Sequence, residues 1–326
     1  MDIAYASDDN FAVHMAASIC SVMQHNREED ITFHILSDGV SEEKLGKITD
    51  MIEKGGQKAC VYPLGDFEGK LRALVPGMNT GDFHVTTLAR LFLGSILPAS
   101  VKTVLYLDCD TVVLHSLEVP FLTRMDPMVA AMAPEPTIYP AVKELIGLSD
   151  ADIYYNAGVM LLNLSLWRRE NLEAECLHYY QKMNGKLPFN DQDILNHVLR
   201  DRVYTLGQRF NFFSNYYYFS YAALCRLSPS YRTVGTERLY RISKHHPVVV
   251  HFAGAERPWN EGSLNYYRRA YEKYLAETPF YDTPKVKGQK LSMLFYHGMN
   301  VLTFLCPAAR KKISDLYYRK HFGGVV

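Results

Sequence analysis

The sequence predicts an α/β fold built on a parallel, doubly wound sheet. Over residues 3–62, apolar runs of strand length alternate with segments of helical spacing in the order β-α-β-α-β, which is typical of such sheets. Polar segments at residues 7–10 and 108–110 directly follow predicted strands, and ligands of doubly wound sheets bind at these carboxyl ends. The 326 residues, 48% apolar and 21% charged, are enough to bury one full core.

The individual elements follow from periodicity. Apolar runs predict strands at residues 3–6, 31–36 and 59–62. Helical spacing predicts a first helix with Asn10 as its N-cap, and a second from Ser41 to about residue 53, ended by two glycines. Further strands are expected at residues 104–107, 129–133, 159–164 and 247–252, and the helices at residues 11–25, 86–97, 166–183 and 191–200. No G-x-G-x-x-G follows the first strand, which disfavours a dinucleotide cofactor.

Composition and charge exclude several classes of function. The formal net charge is zero and no basic patch with a nucleic-acid module occurs, so we expect no nucleic-acid partner. The first residues do not show the basic region and apolar segment of a signal peptide, and no apolar run is long enough to span a bilayer. We therefore do not expect secretion by the usual route. The six cysteines lack paired spacing, so we expect reduced thiols in a cytoplasm and no zinc site.

The pair Asp108 and Asp110 is the most informative feature. The two residues follow the apolar run at residues 104–107, and side chains at i and i+2 of an extended segment point the same way. Both carboxylates could therefore reach one hard cation, and such a cation commonly also binds substrate phosphates. D-x-D patterns are frequent by chance. The rest of the chain therefore has to decide whether this pair is a cation site or a chance pattern.

Four further polar segments suggest ligand contacts, and each also has a structural explanation. Residues 6–11 form a strand-to-helix turn that could face an anion or simply cap a helix. At residues 156–158, Asn-Ala-Gly, the two small residues could let a ligand approach the backbone closely, or they could simply form a tight turn that enters a strand. Residues 190–193 open a helix with more acid and amide groups than a cap requires. His251 ends an apolar strand before a glycine turn and Arg257, which is typical of a metal ligand beside a phosphate-binding cation.

After residue 284 the composition changes. Basic residues alternate there with aromatic and aliphatic ones: Lys285, Lys287, Lys290, Arg310, Lys311, Lys312, Arg319 and Lys320 among Leu294, Phe295, Tyr296, Phe304, Leu305, Tyr317, Tyr318 and Phe322. Short helices of this composition suit an anionic membrane surface. A helical cap packed on the domain, with solvated lysines, is about equally consistent.

Six motifs in consistent order resemble glycosyltransferase family 8, in a pattern closest to bacterial lipopolysaccharide α-galactosyltransferases and α-glucosyltransferases. They lie at residues 6–11, 86–91, 106–110, 155–159, 191–195 and 251–259. The resemblance implies a GT-A type, Rossmann-like mixed sheet flanked by helices, with a small helical basic and aromatic C-terminal appendage. It implies a retaining hexosyltransferase that uses UDP-galactose or UDP-glucose and acts on a saccharide or glycolipid acceptor, such as lipopolysaccharide core or another cell-surface glycan.

The resemblance also assigns roles to individual residues. Mn²⁺, or Mg²⁺, would be held against the diphosphate by Asp108, Asp110 and His251. The uridine diphosphate would be met by Ala6, Asp8, Asn10, Phe11, Asp108, the backbone of Cys109, Gly254 and Arg257. The transferred sugar would be surrounded by Arg90, Asn156, Asp191 and Gln192. The family usually has lysine where this chain has Arg257, and arginine keeps the charge but changes the geometry to a planar fork.

The change of composition after residue 284 predicts a division of the chain. Residues 1–280 would form the catalytic domain, and residues 281–326 a basic and aromatic helical segment that could attach to a membrane. We expect a cytoplasmic protein, peripheral on the inner face of the bacterial membrane.

A retaining reaction leaves two routes open. A two-step route needs a carboxylate nucleophile; Gln192 is a poor one, and Asp191 is not clearly aimed. We therefore favour same-face attack by the acceptor hydroxyl, with the leaving phosphate taking its proton.

Three rival functions remain. A phosphatase of the haloacid dehalogenase type, with Asp108 as nucleophile, fits residues 108–112 locally but leaves residues 251–259 unexplained. A non-catalytic sugar-nucleotide binder and a self-glycosylating primer are the others, and the 23 tyrosines do not exclude the primer.

Overall fold

The computed structural model describes residues 1–81, 83–122, 125–310, 312, 313 and 316. The strands are β1 (Asp2–Asp8), β2 (Thr32–Asp38), β3 (Lys58–Pro63), β4 (Thr103–Leu107), β5 (Thr111–Val113), β6 (Ala130–Pro134), β7 (Tyr155–Asn163), β8 (Val203–Thr205), β9 (Phe212–Phe213) and β10 (Val249–His251). The α-helices are α1 (Ala12–His25), α2 (Glu42–Lys54), α3 (Phe67–Leu74), α4 (Leu93–Ile96), α5 (Glu118–Leu122), α6 (Pro140–Leu145), α7 (Leu164–Arg169), α8 (Leu172–Lys182), α9 (Asn190–Val198), α10 (Tyr221–Leu227), α11 (Glu237–His245), α12 (Arg268–Ala276) and α13 (Lys290–Leu305). Short 3₁₀ helices occupy Val85–Phe92, Gln208–Phe210, Ser214–Tyr218 and Pro229–Thr233.

The described strands form a seven-stranded sheet and a three-stranded one. The large sheet has the order β3-β2-β1-β4-β7-β6-β8. Its first four strands are parallel, and β7 runs antiparallel between β4 and β6. The small sheet has the order β5-β10-β9. The predicted α/β class is confirmed, and the mixed sheet flanked by helices agrees with the implied GT-A type.

Both faces of the large sheet are buried. Ile3 and Tyr5 of β1 pack in one apolar cluster with Leu105, and Ala4 and Tyr106 pack in the other. Because successive strand side chains point to opposite faces, a strand covered on both sides needs apolar residues at every position. This explains the continuous apolar runs.

Three predicted details are wrong. Asn10 does not cap α1; the N–H of Phe11 instead donates to Oδ1 of Asp8, at 2.8 Å. The helix expected at residues 86–97 is mostly 3₁₀, since a repeat of three keeps Leu88 and Leu91 on one buried side. The helix expected at residues 166–183 is broken into α7 and α8 by Asn171, whose φ is 53°.

The C-terminal segment is partly described. It contains α13, which contacts the 3₁₀ helix Ser214–Tyr218. Six residues named for this segment lie outside the described residues: Lys311, Tyr317, Tyr318, Arg319, Lys320 and Phe322. In the described part of the chain, no helix combines the length and apolar character needed to cross a membrane.

Candidate active site

The turn between β4 and β5 carries Asp108 and Asp110. β4 lies beside β1 in the large sheet, whereas β5 belongs to the small sheet, where Thr111 is opposite His251 of β10. This register places His251 against the turn. The expectation that both carboxylates project from an extended segment is wrong, because Cys109 and Asp110 form a turn. The turn and the β10 register together bring the three side chains into one place.

Asp108, Asp110 and His251 form a group that we call the cation cluster, whose ligand atoms all lie within 4.8 Å of one another. Nε2 of His251 is 3.1 Å from Oδ1 of Asp110 and 3.7 Å from Oδ2 of Asp108. Nδ1 of His251 lies 3.0 Å from Oδ1 of Asn211, which leaves Nε2 to face the carboxylates. Two carboxylates and one imidazole suit Mn²⁺ and can accept Mg²⁺, so the residues present fit a divalent cation.

Two arginines balance the negative charge of the cation cluster. Nη2 of Arg90 is 2.7 Å from Oδ1 of Asp108, and Nη1 of Arg257 is 2.6 Å from Oδ2 of Asp110. Burial by itself would raise the pKa of Asp110, but His251 and Arg257 outweigh burial and hold that pKa below its ordinary value. Burial would lower the pKa of His251, and the facing aspartates raise it instead. Asp110 therefore stays ionised and ready for a cation.

Gly158 is required by the close packing of the cation cluster. A Cβ at this position would lie 2.3 Å from Cε1 of His251 and 2.7 Å from Oδ2 of Asp108. The carbonyl of Gly158 accepts the backbone N–H of Asp108 at 2.8 Å. Residues 155–158 belong to β7 rather than to a turn, so the small residue serves the approach of side chains from β4 and β10.

Five buried side chains beside the cation cluster form what we call the amide network: Glu135, Tyr154, Asn156, Gln192 and Asp193. Nδ2 of Asn156 donates to Oε1 of Gln192 (2.7 Å) and to Oε2 of Glu135 (2.9 Å). Nε2 of Gln192 donates to the same Glu135 oxygen at 2.9 Å. The hydroxyl of Tyr154 accepts from Gln192 and donates to Asp193. Burial raises the pKa of Glu135, and it raises the pKa of Asp193 to about 7.

Arg90 and Asp191 connect the two groups. Nε of Arg90 is 3.2 Å from Oδ2 of Asp191, while its Nη2 contacts Asp108. Burial raises the pKa of Asp191 to about 6, and Arg90 acts in the opposite sense. The structure thus brings together the four residues expected around the sugar: Arg90, Asn156, Asp191 and Gln192.

Most of the residues that were expected to contact the nucleotide lie at or just after the ends of β1 and β4. Cys109 is buried and its Sγ donates to the carbonyl of Ala6 at 3.2 Å, so only its backbone is available to a ligand. Asp8 is buried as well, and Phe11 is half-buried. Asn10 is exposed and lines a cavity of about 350 Å³ together with Trp259.

The loop after β10 brings Arg257 to the same side. Gly254 has a φ of 93°, a conformation that favours glycine, and its carbonyl accepts from Nε of Arg257 at 3.0 Å. The guanidinium carbon of Arg257 lies 5.7 Å from the ring centre of Phe11 and 5.3 Å from that of Trp259. The arginine is therefore fixed between the nucleotide-side turn and Asp110.

Sequence reasoning missed three residues of the site: Glu135, Tyr154 and Asn211. A signal existed for Glu135, because it directly follows the buried strand β6, where ligand-binding residues of such sheets occur. No pattern along the chain pointed to Asn211, whose Nδ2 donates to Asn156 at 2.7 Å and whose Oδ1 faces His251.

Residues 2–263 match the family described as glycosyl transferase family 8. Similar proteins include general stress protein A of Bacillus subtilis, 25% identical over 284 residues that cover 85% of this chain and 94% of that protein. A lipopolysaccharide 1,2-glucosyltransferase of Escherichia coli K12 is 23% identical, with 98% and 92% covered. A lipopolysaccharide 1,3-galactosyltransferase of Salmonella typhimurium is 26% identical, with 79% and 73% covered.

Solved structures with the same fold include galactosyltransferase LgtC. The complex of LgtC with donor and acceptor sugar analogs superposes with a TM-score of 0.71 at 25% identity, covering 90% of this chain and 100% of that one. An active-site mutant of LgtC, in which a glutamine is replaced by glutamate, gives a TM-score of 0.72 at 27% identity, with 86% and 96% covered.

Proposed function

This chain belongs to glycosyltransferase family 8, and we propose that it transfers galactose or glucose from UDP-galactose or UDP-glucose to a saccharide acceptor, with retention of configuration. The observation that carries the proposal is the convergence of Asp108, Asp110 and His251 between two arginines. Carboxylates and an imidazole that converge beside guanidinium groups suit a cation and a diphosphate together.

The leaving diphosphate is the group that needs stabilisation. Cleavage of the sugar–phosphate bond builds negative charge on UDP, and a bound Mn²⁺ or Mg²⁺ would stabilise that charge. Arg257 supplies a second positive charge from a fixed position, since its Nη1 contacts Asp110 and its Nε contacts Gly254. Within the described residues Nη2 of Arg257 has no hydrogen-bond partner, so the two N–H groups of Nη2 can donate to phosphate oxygens.

The sugar would lie against Arg90, Asn156, Asp191 and Gln192. Gln192 is an amide held at both ends by the amide network, which suits orientation of a hydroxyl rather than nucleophilic attack. Asp191 is engaged by Arg90 at 3.2 Å. We therefore favour same-face attack by the acceptor hydroxyl, and a kinetically competent covalent sugar on Asp191 would contradict it.

The acceptor that we propose is lipopolysaccharide core or another cell-surface glycan, because two of the similar proteins are lipopolysaccharide glycosyltransferases. Such acceptors are built on lipid, so we place the protein in the cytoplasm, peripheral on the inner face of the membrane. In this proposal residues 1–280 are the catalytic domain and residues 281–326 attach to the membrane surface.

The deciding experiment is UDP release from UDP-glucose and from UDP-galactose, with Mn²⁺, Mg²⁺ or neither, and with a panel of saccharide acceptors. Metal-dependent release from one donor, lost in Asp110→Asn and kept in the exposed control Asp50→Asn, would support the proposal. Mg²⁺-dependent phosphate release from small phosphoesters without UDP release would instead establish the phosphatase. Tight UDP binding without turnover on any acceptor would establish the non-catalytic binder.

A further inference from the structure

Helix α13 exposes most of its apolar side chains, unlike an ordinary surface helix. Its buried residues are Met293 and the polar Asn300 and Thr303. Its solvent side is apolar, and the exposed fractions are 82% for Leu291, 62% for Phe295 and 73% for Leu305. A contiguous exposed apolar face on a helix marks an interaction surface. We call it the outer face of α13 and define it by Leu291, Leu294, Phe295, Val301 and Leu305.

The inner side of α13 contacts the loop that carries Arg257. Nδ1 of His297 lies 3.2 Å from Oε1 of Glu256, and Nδ2 of Asn300 donates to the other carboxylate oxygen of Glu256. The side chain of Glu256 is buried, and its backbone carbonyl accepts from Asn265 at 2.9 Å. Glu256 precedes Arg257, whose guanidinium contacts Asp110. Two consecutive residues, Glu256 and Arg257, thus connect α13 to the cation cluster by direct contacts.

The charge around α13 indicates what covers its outer face. Residues 283–314 contain no Asp or Glu, and their basic residues are Lys285, Lys287, Lys290, Arg310, Lys311 and Lys312. Lys285 and Lys290 pair with Glu272 and Glu261, and the segment still carries an excess of positive charge. An anionic lipid surface attracts such a segment, and apolar side chains between the charges enter the headgroup boundary. A second copy of the chain would bring the same basic residues together and repel. Charge therefore favours lipid over self-association.

The proposed function already places this segment on the membrane, and we propose that docking of the outer face of α13 on an anionic lipid bilayer fixes Glu256, and through it Arg257, in the position needed for turnover. Glu256 is then a positioning residue, and membrane contact regulates the proposed active site. The inference rests on the proposed function. A helix restrained on both sides holds the loop in one conformation, whereas a helix held only by Glu256 leaves alternatives populated.

Binding is tested by sedimentation of the full chain with phosphatidylglycerol–phosphatidylcholine vesicles and with pure phosphatidylcholine vesicles. We expect binding to the anionic vesicles alone, weakened at least about tenfold by Phe295→Asp. The matched control is Leu239→Asp, which changes a residue 55% exposed on α11 and should bind like the wild type. Equal binding of the Phe295→Asp variant, or a dimer that this substitution dissociates, would overturn the lipid as occupant.

Coupling is tested by turnover. We expect anionic vesicles to raise wild-type UDP release at least about threefold and Phe295→Asp to keep only the rate measured without vesicles. Glu256→Ala should bind vesicles normally and lose the stimulation. The combination of Glu256→Gln with Asn300→Asp reverses donor and acceptor in one hydrogen bond and should restore it. Stimulation that persists in Glu256→Ala would overturn the coupling.

A second readout does not depend on activity. Trp259 lies in the same loop, and Trp167→Phe leaves it as the only tryptophan of the chain. Anionic vesicles should change its fluorescence in that background but not after Glu256→Ala, and an unchanged spectrum in both would overturn the inference. If UDP release fails under every condition, the proposed function fails, while the fluorescence response still decides the coupling.

Discussion

The cation cluster and the amide network place carboxylates in opposite electrostatic settings. Asp110 of the cation cluster contacts His251 and Arg257, which hold its pKa below the ordinary value. Glu135 of the amide network contacts amide groups, and burial raises its pKa. Both are buried to a similar degree. Neighbouring cations, not depth of burial, therefore decide whether a carboxylate here is prepared for a metal or for uncharged hydroxyl groups.

The largest effect is expected from removing a charge of the cation cluster. Asp110→Asn should lower the rate of UDP release by about a thousandfold, because one ionic ligand and the partner of Arg257 are lost together. Asp50→Asn should behave as the wild type, and thermal melting should show both variants folded. Substantial turnover by folded Asp110→Asn would show that the cluster does not hold the catalytic cation.

The amide network is tested by Glu135→Ala. This removes the oxygen that accepts from both Asn156 and Gln192, and we expect turnover to fall by about 10- to 100-fold. The Mn²⁺ affinity, measured by calorimetry, should stay unchanged. Glu135→Gln keeps one accepting oxygen and should lose less. A loss of metal affinity in Glu135→Ala would mean that the two groups are not separable.

Arg257→Lys examines the departure from the usual family residue. Lysine keeps the positive charge but loses the fork that contacts Asp110 and Gly254 at once. We expect turnover within about tenfold of the wild type and well above that of Arg257→Ala. If Arg257→Lys and Arg257→Ala were equally impaired, geometry rather than charge would be the contribution of Arg257.

The smallest effect on turnover is expected from Asp193→Asn, which changes the response of stability to pH. Burial raises the pKa of Asp193 from 3.8 to about 7. Between these values the unfolded state releases its proton first, so the wild-type free energy of unfolding falls as pH rises through this window. Denaturant unfolding at pH 5 and pH 8 should show a smaller fall for the variant. An identical fall would place the titration elsewhere.

Much of the fold was predictable because its pattern is local. Strands buried on both faces must be apolar at every position, and the runs at residues 3–6 and 31–36 therefore correspond to β1 and β2. The break at Asn171 and the 3₁₀ helix Val85–Phe92 were missed. The 3₁₀ helix depends on which side of the segment packs inward, which is a property of neighbours rather than of spacing, and no regular spacing marks the single left-handed residue at Asn171.

The chemical groups of the site could be identified from the sequence: two aspartates after a buried strand, a histidine at the end of another with an arginine beyond it, and an acid–amide pair at a helix start. The sequence did not reveal Glu135 or Asn211, or which face of α13 is exposed. Those depended on the tertiary structure, since strand register across β5 and β10 and the docking of α13 on Glu256 set distances between residues far apart in the chain. Periodicity indicates which face of a helix or strand is apolar, whereas the residues against which that face packs depend on the tertiary structure.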